Sequence, residues 1–409
     1  MRCGLLGRKL GHSYSPAIHA RLGDYPYALV EKEPEELEAF LSSGEFQGLN
    51  VTIPYKKAVV PYCRELSAQA KALGSVNTLV RRPDGSWYGH NTDYEGFRYL
   101  VESTCHVVAG SKALVLGSGG AGVTVAAVLR DMGARVVVIS RNGEDNYENL
   151  PRHGDAQLIV NATPVGMYPN NGQSPVDLTL FPQCCCVLDV IYNPARTALL
   201  LQAEALGIHG YGGLAMLVAQ ASGSSRCFTG QEIPAGRIQT IEQELRQEME
   251  NIILVGMPGC GKSTVAQALS RRTGRTHQDS DALVVQRCGM SIPELFARQG
   301  EEAFRRLETE VLSDLGKASG TIIATGGGCV TRRENRCLLR QNGTVVFLRR
   351  PLELLPTDGR PLSQSGDLAE MYRRRLPLYE DFAHITVDNT GTPEDTADAI
   401  LRAIKEERP

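Results

Sequence analysis

The sequence predicts an α/β protein assembled from parallel-sheet units, and three observations predict it. Short apolar runs of strand length alternate with helix-length amphipathic stretches along the chain. Two of the apolar runs, residues 113–116 and 252–255, lead directly into glycine-rich loops, Gly117-Ser-Gly-Gly-Ala-Gly122 and Gly256-Met-Pro-Gly-Cys-Gly-Lys-Ser263, each followed by a helix-like stretch. The 409 residues suffice for roughly two to four domains, each burying its own core.

Composition narrows the classes of function. Forty-three Lys and Arg against 46 Asp and Glu give a net charge of −3, so no basic excess points to nucleic acid. No run approaches the roughly 18 apolar residues of a membrane span, and the chain reads as cytoplasmic. The 11 cysteines include no C-x-x-C pair, which argues against a zinc site or a disulfide framework. Cys184-Cys185-Cys186 lies in an apolar strand pattern running to Val190 and reads as buried core.

The chain opens with strands expected at residues 3–6, 27–31 and 48–53, with helical runs between them. Four polar clusters sit at the ends of these elements: Gly11-His-Ser-Tyr-Ser-Pro16, Gly48-Leu-Asn-Val-Thr-Ile-Pro-Tyr-Lys56, Gly74-Ser-Val-Asn-Thr78 and Gly89-His-Asn-Thr-Asp93. Ser13, Ser15, Asn50, Thr52, Asn77 and Asn91 offer neutral hydrogen bonds suited to a polyhydroxylated ligand with a carboxylate. Lys56 and Asp93 are the two that can move protons. Turn and cap chemistry explains any one cluster, but explains four together poorly. Hydride delivered to a ketone carbon leaves negative charge on oxygen. An ammonium such as Lys56 stabilises that charge and can supply the proton, with Asp93 orienting it.

The clusters His-Ser-x-Ser-Pro, Asn-Val-Thr-x-Pro-x-Lys, Val-Asn-Thr and Asn-Thr-Asp, in this order and spacing, resemble the substrate domain of shikimate dehydrogenase. The resemblance implies a substrate-binding domain over residues 1–100, completed by helices at about 213–249. It implies that Ser13 and Ser15 hold the substrate carboxylate, that Asn77, Thr52 and Asp93 bind ring hydroxyls, and that Lys56 paired with Asp93 is catalytic.

The strand at 113–116, the Gly117 loop, a helix to about residue 132 and a second strand at 135–140 make a dinucleotide-binding unit, with Gly117, Gly119, Gly120, Ala121 and Gly122 as the candidate contacts. An NAD site favours an acidic residue at the end of the second strand, to hold the ribose 2′-OH. Here Ser140-Arg141 stands there, and Arg suits a 2′-phosphate, so NADP(H) is the expected cofactor; an exposed loop arginine is the alternative. Further on, Ile159-Val-Asn-Ala-Thr-Pro-Val-Gly-Met167, Asp189-Val-Ile-Tyr-Asn-Pro-Ala-Arg-Thr197 and Gly213-Leu-Ala-Met-Leu-Val-Ala-Gln220 again resemble shikimate dehydrogenase. They imply a Rossmann-like domain over residues 101–212, with Gly213 and Met216 on the cofactor and Tyr192 and Gln220 closing over the substrate. One passage departs from the family: about twenty residues between Ser140 and Asn161 stand where a longer helix and strand are usual. Ile241, Leu245 and Met249 then place one apolar stripe on a helix over 239–249.

The second glycine loop, following a strand and opening a helix, is a P-loop. The backbone around Gly259, Cys260, Gly261 and Thr264 would cradle the phosphates of ATP, Lys262 would reach the β/γ-phosphates, and Ser263 would sit on Mg²⁺. His277-Gln-Asp-Ser-Asp281 sets two carboxylates near the end of a short strand, fitting Mg²⁺ handling and a hydroxyl-orienting base; a solvated acidic turn is the alternative. Residues 291–308 read as two helices joined at Gly300. Residues 321–324 lead into Gly326-Gly-Gly328, where absent side chains admit a ligand ring.

P-loop, Asp-x-Asp, Gly-Glu-x-x-Phe-Arg and triple glycine together resemble shikimate kinase, over a domain expected at 250–409 with a parallel sheet and a lid. The resemblance implies that Asp281 orients the substrate hydroxyl, Arg305 and Arg375 grip its carboxylate, and Gly326, Gly327 and Gly328 line the pocket. Asp279 with Ser263 would serve the metal and Arg360 would close over the phosphates. In Arg373-Arg374-Arg375 only the last matches the pattern, the other two reading as a solvated face. The expectation is a fusion of consecutive enzymes: NADPH reduces 3-dehydroshikimate to shikimate, and ATP phosphorylates shikimate on its 3-hydroxyl. The alternatives are a first half acting on quinate or a related polyol acid, or one that only senses shikimate.

Overall fold

The three strands expected in the first hundred residues form β1 (Cys3–Gly7), β2 (Tyr27–Glu31) and β3 (Gly48–Val51), and three more join them, β4 (Cys63–Leu66), β5 (Thr78–Arg81) and β6 (Trp87–His90). Between and after them lie α1 (Ser15–Leu22), α2 (Leu37–Ser42), α3 (Ala68–Leu73) and α4 (Asp93–Thr104). This is a computed structural model that describes residues 1–11, 13–104, 109–234, 236–355 and 368–406. The six strands make one sheet ordered β2-β1-β3-β5-β6-β4, in which β5 runs antiparallel to both neighbours. Leu6, Leu49, Leu79 and Trp87 close its core.

The next stretch forms β7 (Lys112–Leu116), α5 (Gly120–Asp131), β8 (Arg135–Ile139), β9 (Leu158–Asn161), β10 (Cys186–Asp189), α6 (Ala198–Ala205) and β11 (His209–Tyr211). Their sheet is parallel, ordered β11-β10-β9-β7-β8. Along β7 the side chains divide between two buried faces, Ala113 and Val115 against Val125 and Leu188, Leu114 and Leu116 against Ile159 and Val187. Burial on both faces is why the run is apolar throughout instead of alternating. The short passage from β8 to β9 is a polar turn and a 3₁₀ segment, Leu150–His153. It is tied by the Ser140 N–H to the Asp145 carbonyl (3.1 Å) and by the His153 ring to the Asp145 carboxylate (2.9 Å).

One expectation fails here. Cys184 and Cys186 are buried, but the strand begins only at Cys186, and Cys185 between them is exposed. Two-residue alternation turns the middle thiol outward as the chain enters the sheet.

Helix α7 (Leu214–Thr229) packs along α4, which returns the chain to the first sheet. Gly96 permits the approach, since a Cβ there would lie 2.7 Å from the Met216 carbonyl. The apolar stripe forms α8 (Arg237–Met249), with Ile241 fully buried.

The chain divides into two compact units, Met1–Glu244 and Leu245–Pro409. The second contains β12 (Asn251–Val255), α9 (Lys262–Thr273), β13 (His277–Asp279), α10 (Ser280–Cys288), α11 (Ile292–Gly316), β14 (Ile322–Ala324), α12 (Glu334–Arg340), β15 (Gly343–Arg349), α13 (Leu368–Phe382), β16 (Ile385–Asp388) and α14 (Pro393–Glu406). The sheet is parallel, ordered β13-β14-β12-β15-β16, with the P-loop strand at its centre. A capping box of Ser291 and Glu294 starts α11, and Gly300 at φ 80° breaks it into the two expected helices. Residues 356–367, with Arg360, lie outside the described residues. Among the described residues no helix is long and apolar enough to cross a membrane.

Candidate active sites

In the first unit, the strand-end clusters converge. Lys56, in the turn after β3, bonds Asp93 at the start of α4, Nζ to Oδ2 at 2.6 Å. Asn77 donates to the other Asp93 oxygen at 3.0 Å and to Gln220 Oε1 on α7 at 3.4 Å. The pair is half-buried, Lys56 28% and Asp93 14% exposed, so a ligand can reach an ion pair whose orientation is already fixed. Ser13 and Ser15 stand at the start of α1, where Ser13 Oγ accepts the Ser15 N–H at 3.2 Å. Thr52 anchors the turn that carries Lys56 through its N–H on the Leu6 carbonyl (2.9 Å). Tyr192 is half-buried, its ring edge-on to Tyr14 at 5.9 Å; burial, then Tyr14, pushes its phenol up.

Asn50 and Asn91 are used differently from the expectation. Asn91 holds the Ser75 carbonyl at 2.9 Å, and Asn50 binds Ser224 at 2.7 Å and receives the Tyr27 hydroxyl at 2.8 Å. Both are buried, and these bonds tie them into the floor of the site. Ser224 has no place in the sequence reading. Its signal is its position one helical turn beyond Gln220.

At the second sheet, Gly117 takes φ 103°, and Gly122, in the first turn of α5, lies so close beneath it that a Cβ would collide with the Gly117 carbonyl. Gly119 and Gly120 face open space at the N-terminus of α5, with Ala121 half-buried behind them. Ser140 and the exposed Arg141 stand just beyond β8. Gly213 caps α7 against the Val190 carbonyl, and Met216, 9% exposed, packs into the core beside Ala215.

The second unit holds a cavity of about 570 Å³ running from the P-loop to the triple glycine. Gly259 and Gly261 take φ 86° and 94°, Ser263 Oγ donates to Asp279 Oδ2 at 2.6 Å, and Thr264 follows on the exposed side of α9. Lys262 lines the same cavity, its ammonium bonded to the Gly256 and Met257 carbonyls at 2.9 and 3.0 Å. Cys260 is fully buried, which fits a small residue in a tight loop.

At the far end Asp281, Arg305, Glu308, Gly326, Gly327, Gly328 and Arg375 meet. Arg305 donates to Glu308 at 2.8 Å, and Arg375 reaches the Gly327 carbonyl at 3.3 Å. Arg373 and Arg374 are exposed, Arg375 buried. Burial pushes the Glu308 carboxyl up and Asp281 adds to this, although Arg305 acts the other way. Glu308 Oε1 and Arg375 Nε are buried without a hydrogen-bond partner among the described residues. Two such atoms on one cavity fit a polar ligand. Glu308, and Tyr379 whose hydroxyl fixes the Gly327 carbonyl at 2.5 Å, were not singled out by the sequence reading. Each lies one helical turn beyond a predicted arginine, Arg305 and Arg375, and so shares its face. Among the described residues no group of three or more His, Cys, Asp or Glu side chains could hold a metal unaided.

Comparison with known proteins shows two families along the chain. The family model for the shikimate dehydrogenase substrate binding domain matches residues 5–79, and that for shikimate kinase matches residues 258–405. The shikimate dehydrogenase (NADP(+)) of Methanopyrus kandleri is 38% identical over 264 residues, 56% of this chain and 91% of that protein. Shikimate dehydrogenase 1 from Peptoclostridium difficile superposes with a TM-score of 0.56 at 35% identity, over 61% of this chain and 99% of that one. A chorismate mutase/shikimate 5-dehydrogenase fusion protein from Clostridium acetobutylicum gives 0.57 at 36%, over 59% and 96%. With a relative matched along nine-tenths of its length and a second family model behind it, the chain belongs to the shikimate dehydrogenase family and carries a C-terminal shikimate kinase domain.

Proposed function

We propose that this is a bifunctional enzyme that reduces 3-dehydroshikimate to shikimate with NADPH and then phosphorylates the 3-hydroxyl of shikimate with ATP. The observation that carries the reading is the Lys56–Asp93 pair, held by Asn77, in a chain whose second unit has a cavity lined by Asp281, Arg305 and Arg375. Residues 1–100 with about 213–249 are the substrate part of the reductase, 101–212 its cofactor part, and 250–409 the kinase.

The residues present fit the groups this chemistry requires. The Gly122 approach and the open face of Gly119 and Gly120 leave room for a pyrophosphate at a helix N-terminus, and exposed Arg141 suits a 2′-phosphate. Gly259 to Thr264 suit a triphosphate, and Ser263 with Asp279 would complete a Mg²⁺ shell together with phosphate oxygens. When bound, NADPH supplies the hydride and ATP the phosphoryl group. Lys56 stabilises the oxyanion forming at the ketone and, held by Asp93, delivers its proton. Ser13 and Ser15 hold the carboxylate, while Thr52, Asn77, Tyr192 and Gln220 orient the ring. In the kinase, Asp281 orients the attacking hydroxyl and Arg305 and Arg375 clamp the carboxylate, guanidinium being suited to charge-assisted hydrogen bonds with carboxylate.

The test is NADPH oxidation with 3-dehydroshikimate, ATP absent, on the wild type and Lys56→Ala. Turnover in the wild type should fall at least about a hundredfold in the variant. A wild type that turns over no NADPH yet consumes ATP with shikimate would refute the reductase and leave a kinase with a sensing half.

A further inference from the structure

A P-loop turns its N–H groups inward toward phosphate, so its carbonyls have to be held outward by donors from elsewhere. In the loop between β12 and α9, Lys262 takes the Gly256 and Met257 carbonyls. The Cys260 carbonyl has another partner, the side chain of Asn389, whose Nδ2 donates to it at 2.6 Å. Asn389 lies immediately after β16 and is 3% exposed.

Two further contacts fix it. Its N–H donates to the Arg349 carbonyl at the end of β15 at 2.8 Å. Its Oδ1 accepts the Thr396 hydroxyl on α14 at 2.8 Å, which leaves the amide NH₂ as the edge facing the loop. Gly261, next after Cys260 in the loop, has φ 94°, and a Cβ there would lie 2.9 Å from Asn389 Nδ2, so loop and amide already approach closely.

We infer that Asn389 is a positioning residue of the nucleotide site. It holds the Cys260 carbonyl on the side away from the phosphates, and thereby aims the N–H of Gly261 and those of the first turn of α9 at them. It touches neither nucleotide nor shikimate; it acts through the shape of the loop. The inference rests on the nucleotide reading of that loop.

The test uses the full chain and two probes, Mg·ADP and shikimate, whose binding is measured by calorimetry on the wild type, Asn389→Asp and Asn389→Ala. Aspartate keeps the shape and the Thr396 bond but turns an acceptor toward the carbonyl. It should weaken Mg·ADP binding at least about tenfold, with alanine in between and shikimate affinity within about twofold of the wild type in both variants. Unchanged Mg·ADP affinity in both variants would overturn the inference. Equal loss of ADP and shikimate binding would also overturn it, since Asn389 would then serve folding alone. A wild type that binds shikimate but no Mg·ADP would instead sink the nucleotide reading itself.

Discussion

His19 shows how much a single side chain can set without touching a ligand. It is fully buried, stacked on Tyr27 at 3.9 Å, with Nδ1 against the Tyr25 hydroxyl at 2.7 Å. Burial pushes its pKa from 6.5 down to about 3, although Asn50 acts the other way. Between those values the unfolded chain binds the proton and the folded one does not, so its contribution is present above pH 6.5 and lost as pH falls through the window. Asp189, bonded to Asn161, Thr197 and the Ile191 N–H, runs opposite: burial pushes it from 3.8 to about 6, and its contribution fades as pH rises through 6. Total stability therefore mixes the two, and a variant is needed to separate them. In urea unfolding of the first unit, the stability of wild type relative to His19→Phe should fall by about 2–3 kcal/mol between pH 7 and 4.5. A difference that does not change with pH would refute this. His19 was legible as a helical residue four places after Ser15. Its role was not, because that depends on Tyr25, Tyr27 and Asn50 arriving from other elements.

Elements whose ends carry glycine or proline were the most legible. Both glycine loops, the kink at Gly300 and the triple glycine stand where the sequence put them, because their backbone demands are written in residue type. The antiparallel pairing of β5 and β6, the outward turn of Cys185 and the closure of the β8–β9 passage by Asp145 and His153 were not legible, since each is decided by a partner distant in sequence. The turn after β14 supplies a test at this scale. A Cβ on Gly326 would lie 2.5 Å from Asp281 Oδ1 and 2.6 Å from Glu308 Oε1, displacing the two carboxylates that face the cavity. Gly326→Ala should cut shikimate phosphorylation at least about a hundredfold while Mg·ADP affinity holds. An alanine variant with near-normal kcat would show that the carboxylates do not need that space.

At the scale of the whole molecule, two units each close their own core, one around β7 and β3, the other around β12 and β15. Each should therefore answer to its own ligand. In calorimetry we expect two transitions, NADPH raising one and Mg·ADP the other, each by the equivalent of about 2.7 kcal/mol at a hundred times its Kd. A single transition raised equally by either ligand would refute that independence. The division into two units within one chain also bears on the cell's chemistry. At steady state the level of shikimate is the output of the first unit divided by the second-order rate constant of the second and by its amount. Synthesis delivers the two one to one, so protein abundance cancels from that quotient whenever the first unit's output is proportional to its amount and the second works below saturation. Raising expression then scales throughput and leaves the pool of intermediate where it was.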